Sequence, residues 1–221
     1  MIKKYHAIRF ADEPLHLLPD RALFWPAESA LIVADLHLGK AAGFRAHGIP
    51  VPSGSTAKDL DRLNALIWAT QCKRLLILGD FYHSRRGIDE RLIESITKWR
   101  KSVSSLSIQL IRGNHDRSSG RAEPEWNFEE VDDSIDLPPF TLAHFDTHAG
   151  TYPLLCGHVH PVVSVRDFDG SAVRAPCFVV DDRKLILPSF GSFTGGFSIR
   201  AQPNRQIFLA TRTAVVPFRA P

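Results

Sequence analysis

Three times in the first half of the chain a short apolar run ends on a polar tip, and this recurrence limits the fold more than any other feature. Residues 30–34, ALIVA, lead into Asp35-Leu36-His37-Leu38-Gly39-Lys40. Residues 74–78, RLLIL, lead into Gly79-Asp80-Phe81-Tyr82-His83, and residues 107–111, SIQLI, into Arg112-Gly113-Asn114-His115-Asp116. The first two runs, continuously apolar after Arg74 in the second, suit strands buried on both faces, and the third reads as a strand that delivers polar chemistry into a loop. Segments of helical period separate them. Thr56 and Asp59 read as a capping box ahead of Leu60, Leu63, Leu66 and Ile67 on one face. Asp89 reads as the cap of a second helix that turns Ile88, Leu92, Ile93, Ile96 and Trp99 inward, with Glu94 able to pair with Lys98. Strand-then-helix units with short connections predict a largely parallel sheet whose ligands gather at the carboxyl ends of the strands.

Around this centre the pattern is looser. Residues 8–25 are broken by Asp12, Pro14, Pro19 and Asp20 and read as an edge hairpin, while residues 43–55, with repeated Gly and Pro, read as loop. After a charged loop at 117–127 long helices vanish. Residues 140–144, 154–156, 162–165, 173–180, 184–187 and 206–211 read as short strands, which predicts a mostly antiparallel second sheet packed on the first. A chain of 221 residues, 44% hydrophobic, can bury one core without staples, so one domain over 1–221 is expected. Trp68 and Trp99 are placed in that core by their spacing.

Cys72, Cys156 and Cys177 are odd in number and form no CxxC pair, so they read as buried small apolar residues in a reducing cytoplasm. The N-terminus, MIKKYHAIRFADEP, lacks an apolar core, and no apolar run approaches spanning length, so a soluble, unexported protein is expected. A net charge of +3 permits a phosphorylated partner without requiring one.

The polar tips carry the chemistry. In order they are Asp35 and His37, Asp80, Asn114 and His115, His144, then His158 and His160 in Gly157-His158-Val159-His160. In an extended segment the x-spaced pairs Asp35/His37 and His158/His160 point to one side, so each pair can offer two ligands to one small volume. Carboxylate, carboxamide and imidazole together suit manganese, iron or zinc. Seven such donors exceed what one ion usually takes, and Asp80, midway in the order, is the natural bridging carboxylate. Two bridged ions suit in-line displacement at phosphorus, which is phosphoester hydrolysis.

As a set, Asp35-Leu36-His37, Gly79-Asp80, Gly113-Asn114-His115-Asp116, the strand-end His144 and Gly157-His158-Val159-His160 resemble the five motifs of the calcineurin-like metallophosphoesterases. The resemblance implies an α/β fold in which a two-sheet β-sandwich is flanked by helices in four layers, α/β/β/α. It implies that Asp35, His37, Asp80 and His160 take one ion and Asp80, Asn114, His144 and His158 the other. His115 would face the substrate and serve a phosphoryl or leaving-group oxygen, Asp116 would orient the loop, and His83 resembles the extra histidine of Gly-Asp-x-x-His nucleases. His144 is followed by Phe145 where the pattern often has glycine, and His148 is the alternative ligand.

The run 35–40, the 44–54 loop, Pro161 and residues 187–196, LPSFGSFTGG, are similar to the ligase-associated DNA damage response endonucleases. That branch implies manganese-dependent cleavage of DNA in bacterial repair, alongside a ligase, a helicase and a nuclease. Lys40, Arg45, Arg85 and Arg117 are the residues expected to meet phosphate, with Arg86, Arg112 and Arg121 nearby. His6, His16 and His47 read as structural or surface. The glycines of 191–196 read as a tight bend before they read as a phosphate cradle. The alternatives are a phosphoesterase of cyclic nucleotides or nucleotide-diphosphate compounds, and a metal-dependent module without catalysis.

Overall fold

A computed structural model describes residues 5–166 and 172–219. The basic residues of the extreme N-terminus lie outside it. The first sheet has seven strands in sequential order: β1 His6–Phe10, β2 Glu13–Leu18, β3 Ala22–Trp25, β4 Ala30–Val33, β5 Arg74–Leu78, β6 Ser107–Ile111 and β7 Glu129–Val131. Strands β1 to β4 pair antiparallel, and β4 to β7 pair parallel. The edge hairpin expected from the sequence is thus a three-stranded meander, and the parallel half holds the motifs.

The two-residue strand period sorts the core. Leu31, Val33, Leu75, Ile77, Ile108 and Leu110 face the helices α2 Ser55–Thr70 and α3 Glu90–Ser102, against Leu60, Leu63, Leu92 and Ile96. Their neighbours Ala30, Ile32, Leu76, Leu78 and Ile111 face the other way, onto Phe140, Leu142, Leu155 and Phe178 of the second sheet. Being apolar on both faces is what made these strands legible.

The second sheet comprises β8 Ser134–Leu137, β9 Phe140–Ala143, β10 Leu154–Cys156, β11 Pro161–Arg166, β12 Ala172–Val180, β13 Lys184–Ile186, β14 Phe197–Ser198, β15 Gln206–Ala210 and β16 Val215–Phe218. Its order is β14-β11-β12-β13-β10-β9-β8, with β15 on β12 and β16 on β15. Five of its pairings are antiparallel, as expected, but β9, β10 and β13 run parallel beside the site. Together the sheets form an α/β sandwich, and the described α-helices all precede residue 120. No helix is long and apolar enough to cross a membrane among the described residues.

Four expectations fail locally. Residues 43–46 are not loop but belong to a helix, α1 Lys40–Ala46, because Gly43 lets it lie close on the short 3-10 turn Arg85–Gly87; a Cβ there would meet Ser84 Oγ at 3.2 Å. The Thr56/Asp59 capping box does not form: Gly54 in the left-handed region starts α2 without a side-chain cap, Thr56 Oγ1 accepts from Gly39 N–H, and Asp59 turns away to Ser192. Trp68 is 65% exposed because on α2 it falls off the stripe of Leu60, Leu63 and Ile67, while Trp99 is buried on α3 with Leu92 and Ile96. Glu94 and Lys98 make no ion pair among the described residues. Asp89 does cap α3, accepting from Leu92 N–H at 2.8 Å, and the three cysteines are buried.

Candidate metal centre

The segments that follow β4, β5, β6, β9 and β10 meet at one rim. The tetrapeptide after β6 is no plain turn: Asn114, His115 and Asp116 open a short helix, α4 Asn114–Ser119. Backbone hydrogen bonds knit the rim together, with Asp35 N–H on Gly79 carbonyl, His37 N–H on Asp80 carbonyl and Gly157 N–H on His144 carbonyl.

Among the described residues three donor clusters result, one of them the imidazoles of His37, His83 and His115, and the other two contain the carboxylates. Asp35, His37 and His160 offer atoms within 4.8 Å of one another, and so do Asp80, His144 and His158. Asp80 stands between them, with Oδ2 3.6 Å from His37 Nε2 and Oδ1 3.6 Å from His144 Nε2. Asn114 Oδ1 lies 3.1 Å from His144 Nε2, which completes the second group. The structure brings His144 into this group; His148 stands instead 3.8 Å from Asp133.

Convergence here does not come from an extended backbone. Asp35, His37, Asp80, His158 and His160 all have φ between 48° and 67°, in the left-handed region. Each such residue costs about 1–3 kcal/mol, so alternate left-handed turns, and not strand pleat, aim the x-spaced pairs inward. The glycines answer to close approach: a Cβ on Gly79 would sit 2.2 Å from His144 Nδ1, and one on Gly113 2.2 Å from Asp80 Oδ1.

Tautomers follow from the partners. His144 Nδ1–H donates to the Leu78 carbonyl at 2.9 Å, which leaves the Nε2 lone pair for the centre. His37 Nδ1 lies 3.3 Å from His83 Nδ1, so for His37 to present a bare Nε2 its Nδ1–H must donate to His83. His83 therefore reaches the centre through His37. His115 Nδ1–H donates to the His83 carbonyl, and its Nε2 points inward, 4.0 Å from Asp80 Oδ2. His115 N–H also donates to Asp80 Oδ1 at 3.0 Å. Asp116, buried, faces away: Oδ1 accepts from Tyr82 N–H at 2.9 Å and Oδ2 from Gly113 N–H at 3.0 Å.

The residues fit divalent cations. His37 Nε2 and His160 Nε2 are 3.2 Å apart, and His158 Nδ1 and His144 Nε2 3.1 Å, close enough for each pair to share one cation. Burial, reinforced by Asp35, pushes the Asp80 carboxyl up to about 8, although His115 N–H draws it down. Burial also holds His37 down at about 2, helped by His160 and His115, and lowers His83 to about 4, helped by Lys40. Neutral imidazoles and a carboxylate without a counter-charge are what a divalent ion would complete. Asp35, His37, Asp80 and His144 form the buried floor, while Asn114 and His158 are exposed at the mouth.

The expected cationic residues are divided. Lys40 is half-buried beside His37 and His83. Arg85 is exposed on its 3-10 turn, with no ion pair among the described residues. Arg45 donates to the Val51 and Pro52 carbonyls, and Arg117 to the Asp132 carbonyl. Arg112 and Arg121 pair with Glu130 and Asp132, and Arg86 bonds His47. Sequence reasoning missed the buttress behind residues 187–196: Asp59 accepts from Ser192 N–H at 3.0 Å, pairs with Arg62 at 3.2 Å, and Arg62 lies 4.1 Å over the Phe190 ring. The spacing of Asp59 and Arg62 was its only local sign.

A model of the calcineurin-like phosphoesterase family matches residues 29–187. The chain belongs to the calcineurin-like phosphoesterases, metal-dependent hydrolases of phosphate esters. Among solved structures it is similar to the nuclease MPE of Pseudomonas putida, at 40% identity and a TM-score of 0.85, over 97% of this chain and 100% of that one. It is also similar to protein AQ665 of unknown function from Aquifex aeolicus (19% identity, TM-score 0.37, 59% of this chain and 78% of that one). A third match is Yfce, a phosphoesterase from E. coli (14%, 0.42, 85% and 96%), and at these scores neither of the last two carries an argument. A search of curated proteins found no match.

Proposed function

We propose that this protein is a manganese-dependent nuclease that hydrolyses phosphodiester bonds of DNA, acting in repair. The observation that carries the reading is the 40% identity with a nuclease over 97% of the chain. The open, solvent-facing mouth at Asn114 and His158 supports it, because a polymer must enter from the side.

In this reading Asp35, His37, Asp80 and His160 hold one ion, and Asp80, Asn114, His144 and His158 the other. Two divalent ions, when bound, supply the Lewis-acid charge that stabilises an in-line displacement at phosphorus. The chain does the rest. Asp80 fixes the separation of the two groups by turning one oxygen to each. His144 and His37 are held as neutral donors by the Leu78 carbonyl and by His83. His115 in its protonated form gives the Nε2 proton to the leaving oxygen, its ring fixed by the His83 carbonyl. Lys40, beside His37 and His83, and Arg85, exposed on its 3-10 turn, are the cations assigned to the phosphate backbone.

The test is cleavage of a single-stranded oligonucleotide by purified protein with manganese. Asp80→Asn and His115→Ala are each expected to lower the rate by a factor of 100 or more while circular dichroism stays unchanged. Wild-type rates in either folded variant would refute the assignment.

A further inference from the structure

A cavity of about 230 Å3 adjoins the centre on the His160 side. Its walls include Arg21, Arg174, Ser189, Ser192 and Thr194, and no carboxylate of the described residues lines it. The three hydroxyls are already committed: Ser189 donates to the Asp35 carbonyl, Ser192 to Asp59, and Thr194 to the Gly191 carbonyl. They stiffen the wall and tie it to the backbone of a proposed ligand residue. The donors left for a guest are the guanidinium groups and the backbone. Arg21 spends Nη1 on the Ser189 and Gly191 carbonyls, and Arg174 spends Nη2 on the Gly196 carbonyl and Ser198. Each guanidinium carries five N–H donors, so among the described residues most have no acceptor. Among the described residues, Gly195 N–H and Gly196 N–H have no acceptor. A concave cleft offering two cations and two backbone N–H groups recognises an anion with several oxygens.

We infer that this cleft binds a second phosphate of the substrate, the one next to the phosphodiester being cut. The inference rests on the nucleic-acid reading above, since a substrate with one phosphate cannot fill both places. It also gives residues 191–196 a task beyond a tight bend.

The experiment uses the full chain. Affinity for a labelled single-stranded oligonucleotide is read by fluorescence anisotropy over a salt series, and kcat/KM is measured with manganese on the oligonucleotide and on a chromogenic diester bearing one phosphate. Arg174→Ala is expected to weaken oligonucleotide binding about tenfold, to reduce the log–log salt slope by about 0.7, and to leave the one-phosphate ester within twofold. Arg174 also holds the Gly196 carbonyl, so a second variant guards against misfolding. Gly195 has nothing within 4 Å of an added Cβ; Gly195→Glu should weaken oligonucleotide binding tenfold or more, and Gly195→Gln much less. Equal losses on both substrates, or no loss on the oligonucleotide, overturn the inference alone. If the wild-type protein cuts the ester but neither binds nor cuts the oligonucleotide, the nucleic-acid reading falls and the cleft's role with it.

Discussion

Replacing Asp116 by Asn should separate a residue that holds the site together from one that does chemistry. The carboxylate is 1% exposed and accepts one N–H from each of two motif segments, Tyr82 at 2.9 Å and Gly113 at 3.0 Å. An amide keeps one acceptor and turns an NH2 toward the other N–H. The variant loses a charge-assisted bond, worth about 1.5–3 kcal/mol, and leaves a buried donor unpaired at about 1–3 kcal/mol. Relief of a buried charge offsets part of this, because burial already pushes the Asp116 carboxyl above the ordinary range. A net loss of about 2–4 kcal/mol follows, and at about 2–4 °C per kcal/mol for a chain of this size the melting temperature should fall by roughly 5–15 °C. Since the two segments carry His83 and Asn114, manganese affinity should fall as well. Urea unfolding and a calorimetric metal titration measure both. A variant within about 0.5 kcal/mol of wild type that binds manganese normally would refute the account.

Other perturbations test other links. His83→Ala should cut metal affinity or activity by about 10–100-fold, as loss of a ligand's outer partner does; His83→Gln, which can still accept from His37 Nδ1–H, should recover part of it in the same titration. Chelation should lower the melting temperature by a margin that grows from pH 6.5 to 8. In the metal-free fold Asp80 keeps its proton up to about 8, whereas the unfolded carboxyl, with its ordinary value of 3.8, has already lost it, so stability falls as pH rises. The lowered His37 acts below its ordinary 6.5 and leaves that window to the carboxyl. A margin that stays constant or shrinks in a thermal-shift series contradicts this sign. Trp68→Ser should change stability by no more than about 0.5 kcal/mol, whereas Trp99→Ala should cost about 3–5 kcal/mol, both read from denaturant midpoints.

Much of the fold could be read in the chain because β4 and β5 are covered on both faces and so are written as nearly continuous apolar runs, and β6, though interrupted by Gln109, ends on the same kind of polar tip. Strands covered on one face, such as β7 and β8, with half-buried patterns, gave no such signal. Helix α1 hid behind Gly43, a residue whose local preference is for turns and whose place here is set by contact with a distant turn. Asp59 read as a cap by its spacing from Thr56 and was claimed by Ser192, far along the sequence. Local propensity loses in such places to partners that only folding supplies.

The sequence by itself determined the donor chemistry: which carboxylates, amide and imidazoles exist, and at which strand ends. Those follow from residue type and hydrophobic run, both local properties. The tertiary structure decided how they act. Left-handed backbone at Asp35, His37, Asp80, His158 and His160 aims the side chains, the Leu78 carbonyl and His83 choose the tautomers, and Asp116 turns away from the centre to bind two loops. Each depends on a hydrogen-bond partner or a close contact brought from elsewhere in the chain, and no window of sequence contains it.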